Sequence, residues 1–97
     1  MQRRRYLVAY DISDDRRLRL VYQEMLGWGT RLQYSVYLCD LTGPELTRMQ
    51  RALRDLIDRE DDSVVIIDLG EAAVNRHCPI RTLGRPVSFP QGGPAIY

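Results

Sequence analysis

The apolar side chains of this sequence change their spacing several times, and the order of those changes is the strongest constraint on its fold. A short continuous apolar run at residues 6–10 is typical of a buried strand. From residue 18 to residue 26 the apolar residues recur at the three- and four-residue intervals of a helix. Residues 30–41 then alternate between two faces, which indicates strand structure, and the pattern fits either one strand or two short ones.

A second amphipathic helix and a last strand complete the series. Thr42 and Glu45 have the spacing of a capping box, which predicts the start of a helix whose apolar stripe runs from Leu46 to Ile57. Residues 63–69 (SVVIIDL) are typical of another buried strand. This order predicts an α+β ferredoxin-like βαββαβ sandwich with two helices on one face of an antiparallel sheet. Because two helices cover only one face, we expect the other face to meet solvent or a second subunit, with a homodimer as the default.

The length of 97 residues allows one compact domain. We assign residues 1–84 to a single domain with a short additional strand at about 80–83, and residues 85–97, which carry three prolines and two glycines, to an extended or flexible C-terminal tail. No apolar run approaches the ~20 residues of a membrane-spanning helix, and the amino terminus lacks the pattern of a secretory signal. We therefore expect a cytoplasmic protein. His77, Cys39 and Cys78 do not match a common zinc-site spacing, so we interpret them as structural.

The distribution of charge says more about partners than the net charge of +1. Residues 1–31 carry seven arginines and four acids, a balance of +3, whereas residues 43–62 carry four arginines and six acids, a balance of −2. The basic half of the chain is therefore the amino-terminal half. All 14 basic residues are arginine, whose planar guanidinium suits phosphate contacts.

Asp11 stands where the first apolar run stops and the helical pattern begins. A carboxylate at the end of a buried strand is held rigidly and suits Mg²⁺ or Mn²⁺, which one or two carboxylates can bind together with water and phosphate oxygens. If a twofold axis placed two copies of Asp11 near each other, the pair would share an ion that activates water and neutralises charge on a phosphate. We predict that Asp11 is the metal-binding and catalytic residue. The alternative is that Asp11 caps a turn or the next helix, although Asp14 and Asp15 already supply capping oxygens.

The arginines after Asp11 are candidate nucleic-acid contacts. Arginines of this kind fix a phosphate backbone without reading its sequence. The alternative is a solvated helix face that pairs with Asp15 or Glu24. The candidates are Arg16, Arg17, Arg19 and Arg31.

Tyr10, Tyr34 and Tyr37 flank the same edge of the predicted sheet. Tyrosines there could stack on bases, and the alternative is that they are core or dimer-interface residues. Ser35 has no histidine nearby in sequence, which argues against a serine nucleophile. We include Ser35, Tyr10 and Tyr37 among the predicted nucleic-acid contacts.

Four short elements together resemble one protein family. They are Tyr10-Asp11-Ile12 followed by residues 14–17 (DDRR), residues 29–37 (GTRLQYSVY), residues 40–41 (DL) and residues 62–64 (DSV). The chain resembles the second of the two universal CRISPR-associated adaptation proteins, the small nuclease-like subunit. The resemblance runs from about residue 6 to residue 69, with a weaker likeness at 80–86, and its most specific element is residues 31–36 (RLQYSV).

The resemblance implies a ferredoxin-like homodimer in which a short strand after residue 79 extends the partner's sheet. It implies a magnesium-dependent endonuclease that acts on single-stranded RNA or double-stranded DNA and takes part in spacer acquisition for antiviral defence. Asp11 matches the family's metal-binding aspartate, and the positions at or near family substrate contacts are Arg17, Arg19, Arg31 and Tyr37.

The resemblance also implies a partner, because the family's dimer bridges two dimers of the CRISPR integrase in a heterohexamer and holds a prespacer duplex. For that role the carboxylate is dispensable. Three functions are therefore compared: a metal-dependent endonuclease, which we favour, a non-catalytic nucleic-acid-binding adaptor, and a small-molecule regulatory module, which ferredoxin-like dimers also form.

Overall fold

The fold is a four-stranded antiparallel sheet with two helices. The computed structural model describes residues 2–72 and 81–85 of the chain. The elements in chain order are β1 (Arg4–Asp11), α1 (Asp15–Leu26), β2 (Thr30–Gln33), β3 (Val36–Leu41), α2 (Gly43–Leu56) and β4 (Ser63–Glu71). The strand order in the sheet is β2-β3-β1-β4, and every pair of neighbours is antiparallel. The predicted α+β class and βαββαβ order are confirmed.

The alternating segment of residues 30–41 forms two strands. Tyr34 and Ser35 make the turn between β2 and β3. The register of this pair shifts between Arg31 and Gln33. This shift breaks the predicted strict alternation, because Gln33 lies opposite Val36 and so shares its face. The turn places residue 35 beside the end of β1, where the Tyr10 amide donates to the Ser35 carbonyl at 3.1 Å.

Both helices begin at side-chain caps that the sequence predicted. The Asp14 carboxylate accepts a hydrogen bond from the Arg17 amide at 2.9 Å and so caps α1. At the start of α2, the Thr42 hydroxyl accepts from the Glu45 amide, and the Glu45 carboxylate accepts from the Thr42 amide at 2.8 Å. The predicted capping box is confirmed, and it satisfies two amides that the helix itself leaves without partners.

The hydrophobic core lies between the helices and one face of the sheet. Both helices and the two central strands contribute to one buried cluster, which includes Tyr6, Val8, Tyr10, Val21, Met25, Tyr37, Cys39, Leu41, Met49 and Leu53. Burial raises the pKa of the Cys39 thiol to about 12, so this thiol stays neutral and acts as an apolar side chain, as expected. A Cβ at Gly29 would collide with the Leu38 carbonyl oxygen and lie 2.5 Å from Cys39 Sγ. Only glycine therefore lets the chain pass this close to β3.

Neither α1 nor α2 lies on the opposite face of the sheet. In the antiparallel register, Leu7 lies opposite Ile67, and Ala9 lies opposite Val65, so these side chains share that face. Val65 is 52% exposed and Ile67 is 46% exposed. We call this surface the open face. The prediction that helices cover only one side of the sheet is confirmed.

The carboxy-terminal predictions fall mainly outside the described residues. Residues 81–85 form no strand in the sheet of their own chain. The additional strand was predicted to pair with a partner's sheet, so it stays a prediction. His77, Cys78 and residues 86–97 lie outside the described residues, and the boundary at residue 84 is likewise untested. In the described part of the chain, neither helix has the length and apolar character needed to cross a bilayer.

Candidate active site and nucleic-acid interface

Asp11 is the last residue of β1 and its side chain is exposed. It lies opposite Ser63 on β4, two residues beyond the pair of Ala9 and Val65, so its side chain belongs to the open face. Among residues 2–72 and 81–85, no hydrogen bond or ion pair reaches its carboxylate. The helix cap is supplied by Asp14 instead. The alternative interpretation of Asp11 as a capping residue is therefore wrong, and the carboxylate remains available to a ligand.

The loop that follows Asp11 is held by a buried carboxylate from another part of the chain. Asp62, whose side chain is 0% exposed, accepts hydrogen bonds from the Ser13 amide at 3.0 Å and from the Asp58 amide at 2.8 Å. Arg17 Nε donates to the same carboxylate at 2.8 Å. We call Asp62, Arg17 and Ser13 the loop clamp. The Arg17 guanidinium and these amides hold the pKa of the Asp62 carboxyl well below its usual value, because each favours the ionised form.

The role of Asp62 was not predicted from the sequence. The predicted partners of the α1 arginines were Asp15 and Glu24, but Arg17 pairs with Asp62, 45 residues away. Glu24 accepts from Trp28 Nε1 at 2.8 Å. No local sequence pattern predicts a contact over such a separation, because the contact depends on the placement of β4 beside β1. Phosphate contact by Arg17 stays a prediction, and a phosphate would have to compete with Asp62 for the guanidinium.

Arg16 and Arg19 are both exposed on α1, where residues three apart are neighbours on the helix surface. Neither side chain forms a hydrogen bond or an ion pair with any residue in the described ranges. Their predicted contact with nucleic acid remains open to test. The structure leaves both guanidinium groups free for an anion from outside the chain.

Tyr10 and Tyr37 are core residues. Tyr37 is 0% exposed and Tyr10 is 6% exposed, and their rings stack with centres 6.0 Å apart. Contact between these two tyrosines and nucleic acid stays a prediction: Tyr37 has no accessible surface in this structure, and Tyr10 contributes its small exposed part to the lining of a cleft. The alternative interpretation as core residues is correct. Burial also raises the pKa of the Tyr37 hydroxyl far above its usual value.

Ser35 lies in the turn and is half-buried. Its carbonyl oxygen accepts the hydrogen bond from the Tyr10 amide, which connects the β2–β3 turn to the end of β1. Contact between the Ser35 side chain and nucleic acid stays a prediction.

Arg31 contacts two tyrosine rings. Its guanidinium carbon is 5.1 Å from the ring centre of Tyr22 and 5.1 Å from the ring centre of Tyr34. Tyr22 belongs to α1 and Tyr34 to the β2–β3 turn, so the arginine connects the helix layer to the sheet. Tyr34 is 72% exposed. Of the three tyrosines considered from the sequence, it is the one with a ring open to solvent.

These residues line a cleft of about 440 Å³ between α1 and the β2–β3 turn. Its polar and aromatic lining comes from Tyr10, Asp15, Arg19, Tyr22, Arg31 and Tyr34. That Tyr22 and Asp15 line the same cleft as Arg31 was not predicted from the sequence. Tyr22 packs partly against the core cluster, and only the tertiary structure brings its ring within 5.1 Å of the Arg31 guanidinium carbon.

Comparison with known proteins agrees with the resemblance that the sequence suggested. Residues 4–77 match the family model described as CRISPR associated protein Cas2. The chain is 48% identical over 67 residues to CRISPR-associated endoribonuclease Cas2 1 of Rhodospirillum rubrum, a match that covers 69% of this chain and 66% of the relative. It is 39% identical over 92 residues to CRISPR-associated endoribonuclease Cas2 2 of Thermodesulfovibrio yellowstonii, which covers 95% and 96% of the two chains.

A solved structure supports the same assignment. The fold is similar to Streptococcus pyogenes Cas2 at pH 6.5, with a TM-score of 0.72, 32% sequence identity, and coverage of 82% of this chain and 99% of that one. The family match spans most of the chain, including β1 with Asp11 and the β2–β3 turn with Tyr34. The chain therefore belongs to the CRISPR-associated Cas2 family, whose relatives named above are called endoribonucleases.

Proposed function

We propose that the protein is a metal-dependent endonuclease that hydrolyses phosphodiester bonds in nucleic acid during spacer acquisition, with Asp11 as the metal-binding and catalytic residue. The observation that carries the proposal is the Asp11 carboxylate, which is exposed at a rigid strand end and has no hydrogen bond or ion pair among the described residues. A carboxylate without an internal partner contributes nothing evident to the fold. Its charge is available to a hard divalent cation such as Mg²⁺ or Mn²⁺.

The site would be completed by a second copy of the chain. Within the described residues, no group of three or more histidine, cysteine, aspartate or glutamate side chains comes together. Asp11 lies at the edge of the open face, which also presents Val65 and Ile67. A homodimer formed through this face would bury its apolar side chains, and a twofold axis there would bring two Asp11 carboxylates toward each other.

The chain's own residues have separable tasks in this proposal. The loop clamp holds the backbone that follows Asp11 and so restricts the directions its carboxylate can take. Arg19 and Arg31 add positive charge on the helix side of the same end of β1, where a phosphate backbone would lie. A bound Mg²⁺ would supply a water of lowered pKa and positive charge beside the phosphate.

The test compares the parent protein with Asp11→Asn, which keeps the shape of the side chain and removes its charge. Asp61→Asn, at an exposed loop position, is the matched control for loss of one negative charge. Cleavage of labelled single-stranded RNA and duplex DNA would be measured across pH with Mg²⁺, with Mn²⁺ and with chelator. We expect the parent and Asp61→Asn to cleave both in the presence of metal and to lose cleavage when chelator is added. We expect no cleavage by Asp11→Asn. Equal, chelator-sensitive cleavage by Asp11→Asn and the parent would contradict the assignment of Asp11.

A second candidate function is a non-catalytic adaptor that binds a nucleic-acid duplex and joins two dimers of the CRISPR integrase. The observation that favours it is the pair of free guanidinium groups at Arg16 and Arg19. The test is spacer integration with the integrase subunit present, using Arg16→Glu with Arg19→Glu. Arg17 is left unchanged because its reversal would break the loop clamp. On the adaptor function alone, the double charge reversal abolishes integration and Asp11→Asn leaves it intact.

A further inference from the structure

Ser63 on β4 lies directly opposite Asp11 on β1 in the antiparallel register. Residues paired in this way point to the same face of a sheet, and their Cβ atoms are roughly 4.5–5.5 Å apart. Both side chains are exposed. Ser63 therefore presents a hydroxyl oxygen beside the carboxylate that we assign to a divalent cation.

This pair is the polar end of an otherwise apolar row of side chains. The two preceding pairs on the open face are apolar on both strands: Leu7 with Ile67, and Ala9 with Val65. Val64, the residue after Ser63, packs against the hydrophobic core on the other side of the sheet. Because Ser63 is exposed, its side chain contributes little to the core. What it adds to the open face is an oxygen atom next to Asp11.

The fold uses neither of these polar groups. Among residues 2–72 and 81–85, the Ser63 hydroxyl forms no hydrogen bond, and the Asp11 carboxylate forms no hydrogen bond or ion pair. The two groups are cross-strand neighbours that do not bond each other. The oxygen lone pairs of both are therefore available to a ligand from outside the chain.

The loop clamp holds the backbone beside both members of the pair. Asp62 directly precedes Ser63, and its buried carboxylate accepts hydrogen bonds from the Ser13 amide at 3.0 Å and from Arg17 Nε at 2.8 Å. Ser13 in turn is two residues after Asp11. A site whose backbone is already held needs little rearrangement to accept an ion, which favours binding.

We propose that the Ser63 hydroxyl is a second oxygen ligand of the divalent cation at Asp11. This inference rests on the proposed function and deepens it, because it adds a residue to the metal site. A neutral hydroxyl beside a carboxylate suits Mg²⁺ or Mn²⁺, which take oxygen ligands and can retain several waters. A Ser or Thr hydroxyl and an aspartate together hold Mg²⁺ in P-loop nucleotide hydrolases. In a dimer, two Ser63 hydroxyls would add ligands without adding negative charge to the two Asp11 carboxylates.

The test measures metal binding in the absence of nucleic acid. Titration of Mn²⁺ with the protein would be followed by the loss of the electron paramagnetic resonance signal of the free aqueous ion. The variants are Ser63→Ala, which removes the oxygen, and Ser63→Thr, which keeps it and suits a strand. Thr47→Ala, at an exposed position of α2, is the control for loss of a hydroxyl elsewhere, and Asp11→Asn removes the carboxylate of the site. The Tm of metal-free Ser63→Ala should equal that of the parent, because this side chain has no hydrogen bond to lose.

We expect Ser63→Ala to weaken Mn²⁺ binding about 10- to 100-fold, the range typical of residues that support a metal site. Ser63→Thr and Thr47→Ala should bind Mn²⁺ like the parent. The cleavage assay gives a second measure, in which Ser63→Ala needs a correspondingly higher Mg²⁺ concentration for half-maximal cleavage and approaches the parent's maximal rate at saturating Mg²⁺. Asp11→Asn should not recover cleavage at any Mg²⁺ concentration.

Equal Mn²⁺ affinity of the parent and Ser63→Ala would overturn the inference, and so would an equal loss of affinity in Ser63→Ala and Ser63→Thr. Failure of the inference is distinguishable from failure of the proposed function. Mn²⁺ binding that depends on Asp11 but not on Ser63 would remove Ser63 from the site and leave the proposed function standing. Mn²⁺ binding that depends on both residues, in a protein that cleaves no nucleic acid, would keep the metal site and contradict the hydrolysis. Absence of Asp11-dependent Mn²⁺ binding in the parent would overturn both.

Discussion

The Asp62 carboxylate lies 2.8 Å from Nε of Arg17 and also accepts the amide of Ser13, two residues after Asp11. One buried acid thus ties the beginning of β4 to the first turn of α1 and to the loop between β1 and α1. The proposed metal-binding residue stands at one end of that loop. The position of Asp11 therefore depends on a contact between segments that are far apart in sequence.

Removing the Asp62 charge should unfold the protein at a lower temperature. Asp62→Asn leaves Arg17 without its anion and takes away a strong acceptor from the Ser13 and Asp58 amides. For a domain of this size we expect Tm to fall by roughly 10 °C. Asp61→Asn, at the exposed neighbouring position, should change Tm little. Thermal unfolding followed by circular dichroism measures both, and equal Tm values for the two variants would contradict the structural role of the loop clamp.

The stabilisation from Asp62 should depend on pH in one direction. The folded state lowers the pKa of this carboxyl, so its contribution is complete above the unfolded value of about 3.9 and is lost as pH falls toward the folded value. The Tm difference between the parent and Asp62→Asn should therefore be constant near neutral pH and narrow below about pH 4. Unfolding curves at a series of acidic pH values test this. A Tm difference between the parent and Asp62→Asn that widens as pH falls would contradict a lowered pKa of Asp62 in the folded state.

Asp11 and Asp14 should respond differently to mutation, although they are three residues apart. Asp11→Asn should leave stability unchanged, because the described structure gives its carboxylate no partner to lose. Asp14→Ala removes the N-cap of α1 and should cost about 1 kcal/mol. Urea unfolding of the two variants beside the parent gives both values. A substantial loss of stability in Asp11→Asn would show that this side chain has a structural role after all.

Tyr37→Phe should keep both stability and nucleic-acid affinity. The Tyr37 hydroxyl is buried and has no hydrogen-bond partner among the described residues, so its removal leaves no group newly unsatisfied. The ring that stacks on Tyr10 remains. The checks are Tm and the affinity for RNA and duplex DNA. A marked loss of affinity at unchanged Tm would mean that Tyr37 becomes accessible when nucleic acid binds.

A charge on the open face should separate the proposed dimer. Val65→Arg places a guanidinium on the surface that a second copy would cover, and burial of an unpaired charge there is unfavourable. We expect a monomer by size-exclusion chromatography with light scattering, together with loss of cleavage. Gln50→Arg, on the exposed side of α2, is the control and should remain dimeric. A Val65→Arg protein that stays dimeric would place the subunit contact elsewhere.

Much of the fold was predictable because the signals that encode it are local. The apolar run that ends at Asp11, the helical stripe of α1 and the capping box of Thr42 and Glu45 each lie within a few residues, and each forms the predicted element. The position of Asp11 at a strand end followed from the same local pattern. The turn at Tyr34 and Ser35 was one of two possibilities that alternation alone left open.

The sequence by itself thus determined the order of strands and helices, their caps and the location of one exposed carboxylate. Only the tertiary structure decided which tyrosine is exposed to solvent and which arginine forms an ion pair within the chain. Tyr37 is buried because β3 is a central strand beneath the helices, while Tyr34 is exposed because it lies in the turn at the sheet edge. Arg17 is held by Asp62 because β4 pairs with β1. The spacing of residues in the sequence carries information about local structure. Burial and ion pairing instead depend on which distant segments the sheet order brings together.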